Sequence, residues 1–339
     1  MMPAARRGIV TGGTWCVDNN RLISFWPEED GIAEILSQEL AGGGSGCNLA
    51  VDIRHLDPAM PVETIAIVGD DEGGRFLRSI AEEAGIDHRQ MHVDGSLPTQ
   101  FTDAYASATT HRRTHLFAKG VAASLTPDHF DLAATTGRIL HLGLPGFHKQ
   151  LDGVWADGDN GWVTVLKKAR ALGLKTNIEL ASLEARVLAD TVMPCLGHLD
   201  YVVVNDAEIG ALAGLPTVCH GVTDAGLCEA AARKVLEDGA MELVVVHWPK
   251  LAIAVARDGT VARKTSCAVP PDLVVGANGA GDAFAAGMIY GLHEGWPLEK
   301  SLALAHATAA CSLRSVTTSG AVVGWQETLR LADAWGWKV

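Results

Sequence analysis

The residues with the most chemistry to offer lie between Val274 and His293, in the run VVGANGAGDAFAAGMIYGLH. Gly279, Ala280 and Gly281 carry little or no side chain and stand where a helix of small and apolar residues begins. At a helix start the backbone N–H groups lack intrahelical acceptors and the positive end of the macrodipole faces outward, so a phosphate is favoured there. Asp282 follows within the first turn. A carboxylate beside an anion cradle repels its ligand unless it has a task. The task at hand is to take the proton of a hydroxyl that attacks phosphorus. Ordinary helix capping by a glycine turn and an acidic first-turn residue is the other reading of the same residues.

A second glycine-rich stretch, GGGSGCNLAVDIRHLD, runs from Gly42 to Asp57. It leads into an amphipathic helix with Leu49, Ile53 and Leu56 along one face. It is not a Walker loop, because no Gly-Lys dipeptide occurs anywhere in the chain. Asp18 stands just past a first buried strand, Gly8 to Gly13, where open α/β sheets bind ligands. An Asx turn with Asn19 and Asn20 is the alternative for Asp18. Asn205-Asp206-Ala207-Glu208 follows the buried run YVVV. A carboxylate and an amide oxygen delivered together suit Mg²⁺, which keeps several waters, and they equally make a helix cap.

GAGDAFAAG, followed by AHATAACSL, resembles the C-terminal signature of the PfkB (ribokinase-like) carbohydrate kinases. GGGSGCNLA is similar to that family's G-G-x-x-x-N-x-A, and NDAE to its N-x-x-E. The likeness runs from roughly Val10 to Val322. It implies an α/β fold of ribokinase-like type, a doubly wound, mostly parallel sheet flanked by helices with a small β-strand lid. It implies one kinase domain over residues 1–339, with lid segments at about 14–42 and 97–120. The implied reaction is ATP-dependent phosphoryl transfer to a hydroxyl of a sugar or sugar-like molecule. Asp282 would be the base, and Gly279, Ala280 and Gly281 the anion hole. Asp18 and Asn48 would bind the substrate, and Gly43-Gly44 would hinge the lid. Asn205 and Glu208 would act on Mg²⁺ through water and on the phosphates of ATP. His306 takes the place of an asparagine near the adenine. A homodimer through the lid is compatible with the alternating strands there.

Two stretches depart from the family. Gly276-Ala277-Asn278 replaces Asp-Thr-x before GAGD, which puts activation by a monovalent cation in doubt. His247-Trp248-Pro249-Lys250-Leu251-Ala252 replaces Thr-x-Gly-x-x-Gly beside the nucleotide, and proline restricts the backbone where glycine would allow close approach. These departures motivate a second reading, a ribokinase-like ligand-binding or regulatory protein with lost or weak transfer. A third is a Rossmann oxidoreductase using the Gly42 loop, which lacks G-x-G-x-x-G behind a clear strand.

The elements that must position these residues read as follows. Thr64 to Asp71 is a buried strand, and the helix after it closes at Gly85. Asp70 and Asp71 have structural roles. Leu97 to Gly120 alternates as two exposed strands, with Arg112, Arg113 and Lys119 either suiting an acidic substrate or protecting an edge. From Arg138 strands and helices alternate, including a helix from Leu183 to Ala189, as in a doubly wound sheet. The net charge of −13 argues against nucleic acid or an anionic membrane as partner. No run of 18 apolar residues exists, and the N-terminus has no apolar core of a signal peptide. Seven cysteines without a C-x-x-C pair fit reduced thiols, so a cytoplasmic protein is expected.

Overall fold

The runs Tyr201–Asn205 and Leu243–His247 are apolar at every position but the last, so they can be buried on both faces, and they form central strands. A computed structural model describes residues 6–110, 112–181, 184–315 and 317–338. In chain order the first half holds β1 (Ile9–Gly13), β2 (Cys16–Ile23), β3 (Ile35–Gly43), α1 (Ser45–Leu56), β4 (Val62–Val68), α2 (Glu72–Glu83), β5 (Asp87–Val93), β6 (Phe101–Ser107), β7 (Arg113–Ala118) and β8 (Ile139–Gly143). Next come α3 (Lys149–Asp152), α4 (Gly161–Ala171), β9 (Lys175–Ile178), α5 (Ala185–Val187), β10 (Tyr201–Asn205) and α6 (Asp206–Ala213). The last part holds the ribbon β11 (Val218–Cys219) and β12 (Val222–Thr223), then α7 (Ala225–Asp238), β13 (Leu243–His247), β14 (Leu251–Ala256), β15 (Val261–Thr265), α8 (Ala280–His293), α9 (Leu298–Ser312) and α10 (Trp325–Trp335). The helix expected from Leu183 onward begins outside the described residues. Past α5 it continues as a wider helical turn, Leu188–Val192.

Nine strands form the main sheet in the order β15-β14-β13-β10-β9-β8-β1-β4-β5. Its pairs are parallel except those made by β14. Successive strand residues face opposite layers. Val202 and Val204 pack with Trp162, Val165 and Val235 on one side, while Tyr201 and Val203 pack with Leu49, Phe284 and Met288 on the other. The small residues of α8 let α9 come close. A Cβ on Gly287 would sit 2.7 Å from the Ala305 Cα.

β1 has β8 on one side and β4 on the other, so the strand order reverses there, and a crevice opens beyond the carboxyl ends of these strands. Over it stands a four-stranded sheet in the order β3-β2-β6-β7. Much of this sheet is exposed, including Leu36, Leu40 and Leu116. Among the described residues, no helix is long and apolar enough to cross a membrane.

Candidate active site

Asp282 lies in the first turn of α8, whose N-cap is Gly279 in the left-handed conformation (φ 73°). Among the described residues no side chain caps this helix, so its first N–H groups face the crevice unclaimed. A Cβ on Gly279 would press on Thr318, whereas one on Gly281 would meet only His247 at 3.8 Å. The cradle is therefore tight behind and open in front.

Asn48, on α1, is 234 residues away in sequence, and its Nδ2 donates to Asp282 Oδ2 at 2.9 Å. The Thr318 hydroxyl donates to Asn48 Oδ1 at 2.7 Å, which fixes the amide with its NH₂ toward Asp282. Three separate segments thus aim one carboxylate.

Asp18 projects from β2 and is 8% exposed. Burial pushes its carboxyl up to about 6, and the Asp282 charge acts in the same direction. Asp18 lies flat against Gly43 at the end of β3. A Cβ there would come within 2.1 Å of Asp18 Oδ2, so only glycine leaves the carboxylate room. Gly44 follows at φ 85° as the N-cap of α1, joining the small sheet to the helix that carries Asn48. Gly43→Ala is expected to raise KM for the acceptor about tenfold or more, because it displaces a hydrogen-bonding carboxylate worth roughly 1.5–3 kcal/mol. Steady-state kinetics check this, and an unchanged KM would remove Asp18 and Gly43 from substrate binding.

Asn205 and Glu208 cap α6 reciprocally. Glu208 N donates to Asn205 Oδ1 at 2.8 Å and Asn205 N donates to Glu208 Oε2 at 2.9 Å. This capping box leaves Glu208 Oε1 free. Burial pushes the Glu208 carboxyl up to about 7, and Asp282 is among the charges that raise it. The free oxygen suits a Mg²⁺ ion that keeps its waters and takes the rest of its ligands from phosphate. Among the described residues no three His, Cys, Asp or Glu side chains converge to hold a metal directly.

A family model described as pfkB family carbohydrate kinase matches residues 16–323. The chain belongs to the pfkB family of carbohydrate kinases. This kinase is similar to the adenosine kinase of Saccharomyces cerevisiae, at 26% identity over 299 residues that cover 86% of this chain and 83% of that one. It is likewise similar to the 1-phosphofructokinase of Rhodobacter capsulatus, at 26% over 299 residues, covering 85% and 84%. Its fold matches a ribokinase structure from Giardia lamblia with a TM-score of 0.81, at 18% identity over 98% of this chain and 100% of that one. As a pfkB member it is an ATP-dependent carbohydrate kinase.

The site of this kinase contains residues that sequence reasoning missed. Glu179 follows β9 directly, and its carboxyl lies against that of Asp282. Burial raises Asp282 well above the carboxylate range, and Glu179 raises it further. Glu179 itself is 14% exposed and is pushed up to about 7, chiefly by burial. Behind it His141 Nε2 lies 2.9 Å from Glu179 Oε2, out of hydrogen-bond alignment. His141 and Asn177 are register partners on β8 and β9, and Asn177 Nδ2 meets His141 Nδ1 at 2.9 Å. Burial holds His141 down at about 4, so it is neutral. Asp52, one turn past Asn48 on α1, is fully buried, and among the described residues both its oxygens are unpartnered. Burial holds it protonated far above the usual range.

The turn after β13 and the middle of α9 carry departures from the family pattern. His247 ends β13 and stacks on Phe284 at 4.3 Å between ring centroids. His306 meets the same ring edge-on at 5.1 Å, and its Nε2 donates to the Lys264 carbonyl at 2.9 Å. His306 is thus engaged in the interior at 4% exposure. The Pro249 carbonyl accepts from Ser266 Oγ at 2.7 Å, which pins the turn that replaces the glycines. Asp71 caps α2 through Gly74 N and accepts from Thr99 N, a structural role.

Proposed function

We propose that this kinase transfers the γ-phosphoryl group of ATP to a hydroxyl of a sugar or sugar-like small molecule, with Asp282 as general base. The observation that carries the reading is the meeting of Asp282, Asn48 and the uncapped start of α8 at one point of the crevice. Phosphoryl transfer needs positioning and charge stabilisation more than covalent chemistry, and this arrangement supplies both. Asp18 and Asn48 orient the acceptor. Asp282 receives the hydroxyl proton once it has ionised, and the adjacent Glu179 carboxyl sets the pH at which it does so. The N–H groups of Gly279, Ala280 and Gly281 hold the transferring oxygens. Mg²⁺, when bound, neutralises phosphate charge, with Glu208 and Asn205 holding its waters. The small sheet acts as a lid hinged at Gly43-Gly44, and its closure keeps water from the phosphoryl group. Its exposed Leu36, Leu40 and Leu116 support a homodimer through the lid.

The test is Mg²⁺-dependent ADP release across free sugars, sugar acids, polyols, sugar phosphates and nucleosides. Turnover with one class supports the reading. Sugar binding without turnover from any donor makes the protein a ligand-binding member instead, with the Pro249 and Gly276 departures as the cause.

A further inference from the structure

A cleft of about 710 Å³ opens between the inner face of the four-stranded sheet and the loop Gly276–Asn278 that leads to α8. Strand register places its lining on the face that carries Asp18. Asn20 pairs with Ala104, and Ala104 with His115. One step further along, Ala106 pairs with Arg113. The alanines in the middle leave room above the sheet. The polar groups around them are unspent. Among the described residues both ends of the Asn20 amide are buried without a partner. A buried amide left so costs about 1–3 kcal/mol per group, and an anion's oxygen would relieve the Nδ2 end by accepting from it. Among the described residues the Arg113 guanidinium makes no hydrogen bond or ion pair. The neighbouring cation, Arg21, is paired with Asp103 and Tyr105.

Resting on the kinase reading above, we propose that this cleft is an anion subsite, in which Arg113 and Asn20 hold a carboxylate or phosphate borne by the acceptor substrate. The charges fix its orientation. Asp18, Asp282 and Glu179 crowd the catalytic end with carboxyls, so an anion is repelled there. Arg113 stands at the far end, on the edge strand β7, and its positive charge still reaches Asp18. Glu39 lines the same cleft from β3 as the register partner of Asn20, but it stands three strands from Arg113, a span of roughly 14 Å at ordinary strand spacing, so Arg113 holds the charge and Asn20 adds one donated hydrogen bond. The attraction is therefore confined to the β7 side. With a net charge of −13 the protein as a whole repels anions, so a local cation is what such a substrate requires. The phosphoryl group would be added to a hydroxyl distant from the substrate's own anion.

The test is calorimetric titration without ATP, comparing glucose with gluconate, fructose with fructose 1-phosphate, and adenosine alone. The two anionic probes separate a carboxylate from a phosphate. The expected result is that one anionic probe binds about 10–100-fold more tightly than its neutral counterpart, as a charged hydrogen bond allows. Arg113→Gln removes that preference, and Arg113→Lys keeps part of it. Equal affinity for charged and neutral probes, or a preference that survives Arg113→Gln, overturns the proposal. Adenosine as the tightest ligand overturns it too, and leaves phosphoryl transfer itself standing, since ADP release tests that separately.

Discussion

Asp282→Asn is expected to lower kcat by about 10²–10⁴-fold, the usual contribution of a positioned general base, with KM for the acceptor little changed. The substitution keeps the shape of the side chain. Its amide oxygen can still accept from Asn48, and its NH₂ can donate to Glu179. What disappears is the capacity to take a proton. The same change is expected to stabilise the fold. Asp282 is raised well above the ordinary carboxylate value by burial and by Glu179, and its charge in turn raises Asp18, Glu208 and Asp52. A carboxyl whose folded pKa is raised binds its proton more tightly in the folded state, so its contribution to stability declines as pH rises above the unfolded value. Removing it removes that decline. The Tm of Asp282→Asn should therefore exceed that of the wild-type enzyme, by more at pH 8 than at pH 5. Loss of activity with a gain in Tm marks a site where charge is held for chemistry at the expense of stability. Near-normal turnover in this variant would sink the mechanism.

How much of this was legible in the sequence varies from residue to residue. The glycine turn, Asp282 and the run YVVV announce themselves locally, because a cradle, a base and a buried strand each have a short-range pattern. The pairing of Asn48 with Asp282 has no such pattern, since it depends on α1 and α8 packing side by side on one face of the sheet. Glu179 was invisible for a similar reason. It lies in an unremarkable run, LKTNIEL, and reaches Asp282 only because β9 lies beside β8 and delivers the residue after it to the crevice. His141 and Asn177 are isolated polar letters in apolar runs, and only parallel register brings them together. Asp52 sits in a helix segment that reads as partly solvated, yet the acid is fully buried. Asn205 and Glu208 show the converse. The helix-cap reading and the metal reading were both open, and the structure has the cap while leaving one carboxylate oxygen free.

Glu179 is the residue on which the proton chemistry turns, and Glu179→Gln is expected to move the acid limb of the kcat/KM profile to lower pH by at least about one unit. The groups that face the Asp282–Glu179 pair are Asn48 and Asp52 from α1, His141 from β8, Glu208 from α6 and Asp18 from β2. Burial keeps His141 neutral and Asp52 protonated, so Glu208 and Asp18 are the groups here that can carry charge. Two carboxyls in contact cannot both ionise easily, so Glu179 keeps Asp282 protonated to higher pH than burial alone would. Glutamine keeps the size and removes the charge. Asp282 then ionises earlier and is a weaker base, so the plateau above the limb is expected to fall while the limb itself moves down. The variant is thus expected to be slower than the wild type on the plateau and to overtake it on the acid limb. A residue that merely packed against Asp282 would change the plateau or the Tm and leave the limb where it was. An unmoved limb in Glu179→Gln would reduce Glu179 to a structural neighbour, and a moved limb makes it the group that sets the pH at which the base becomes available.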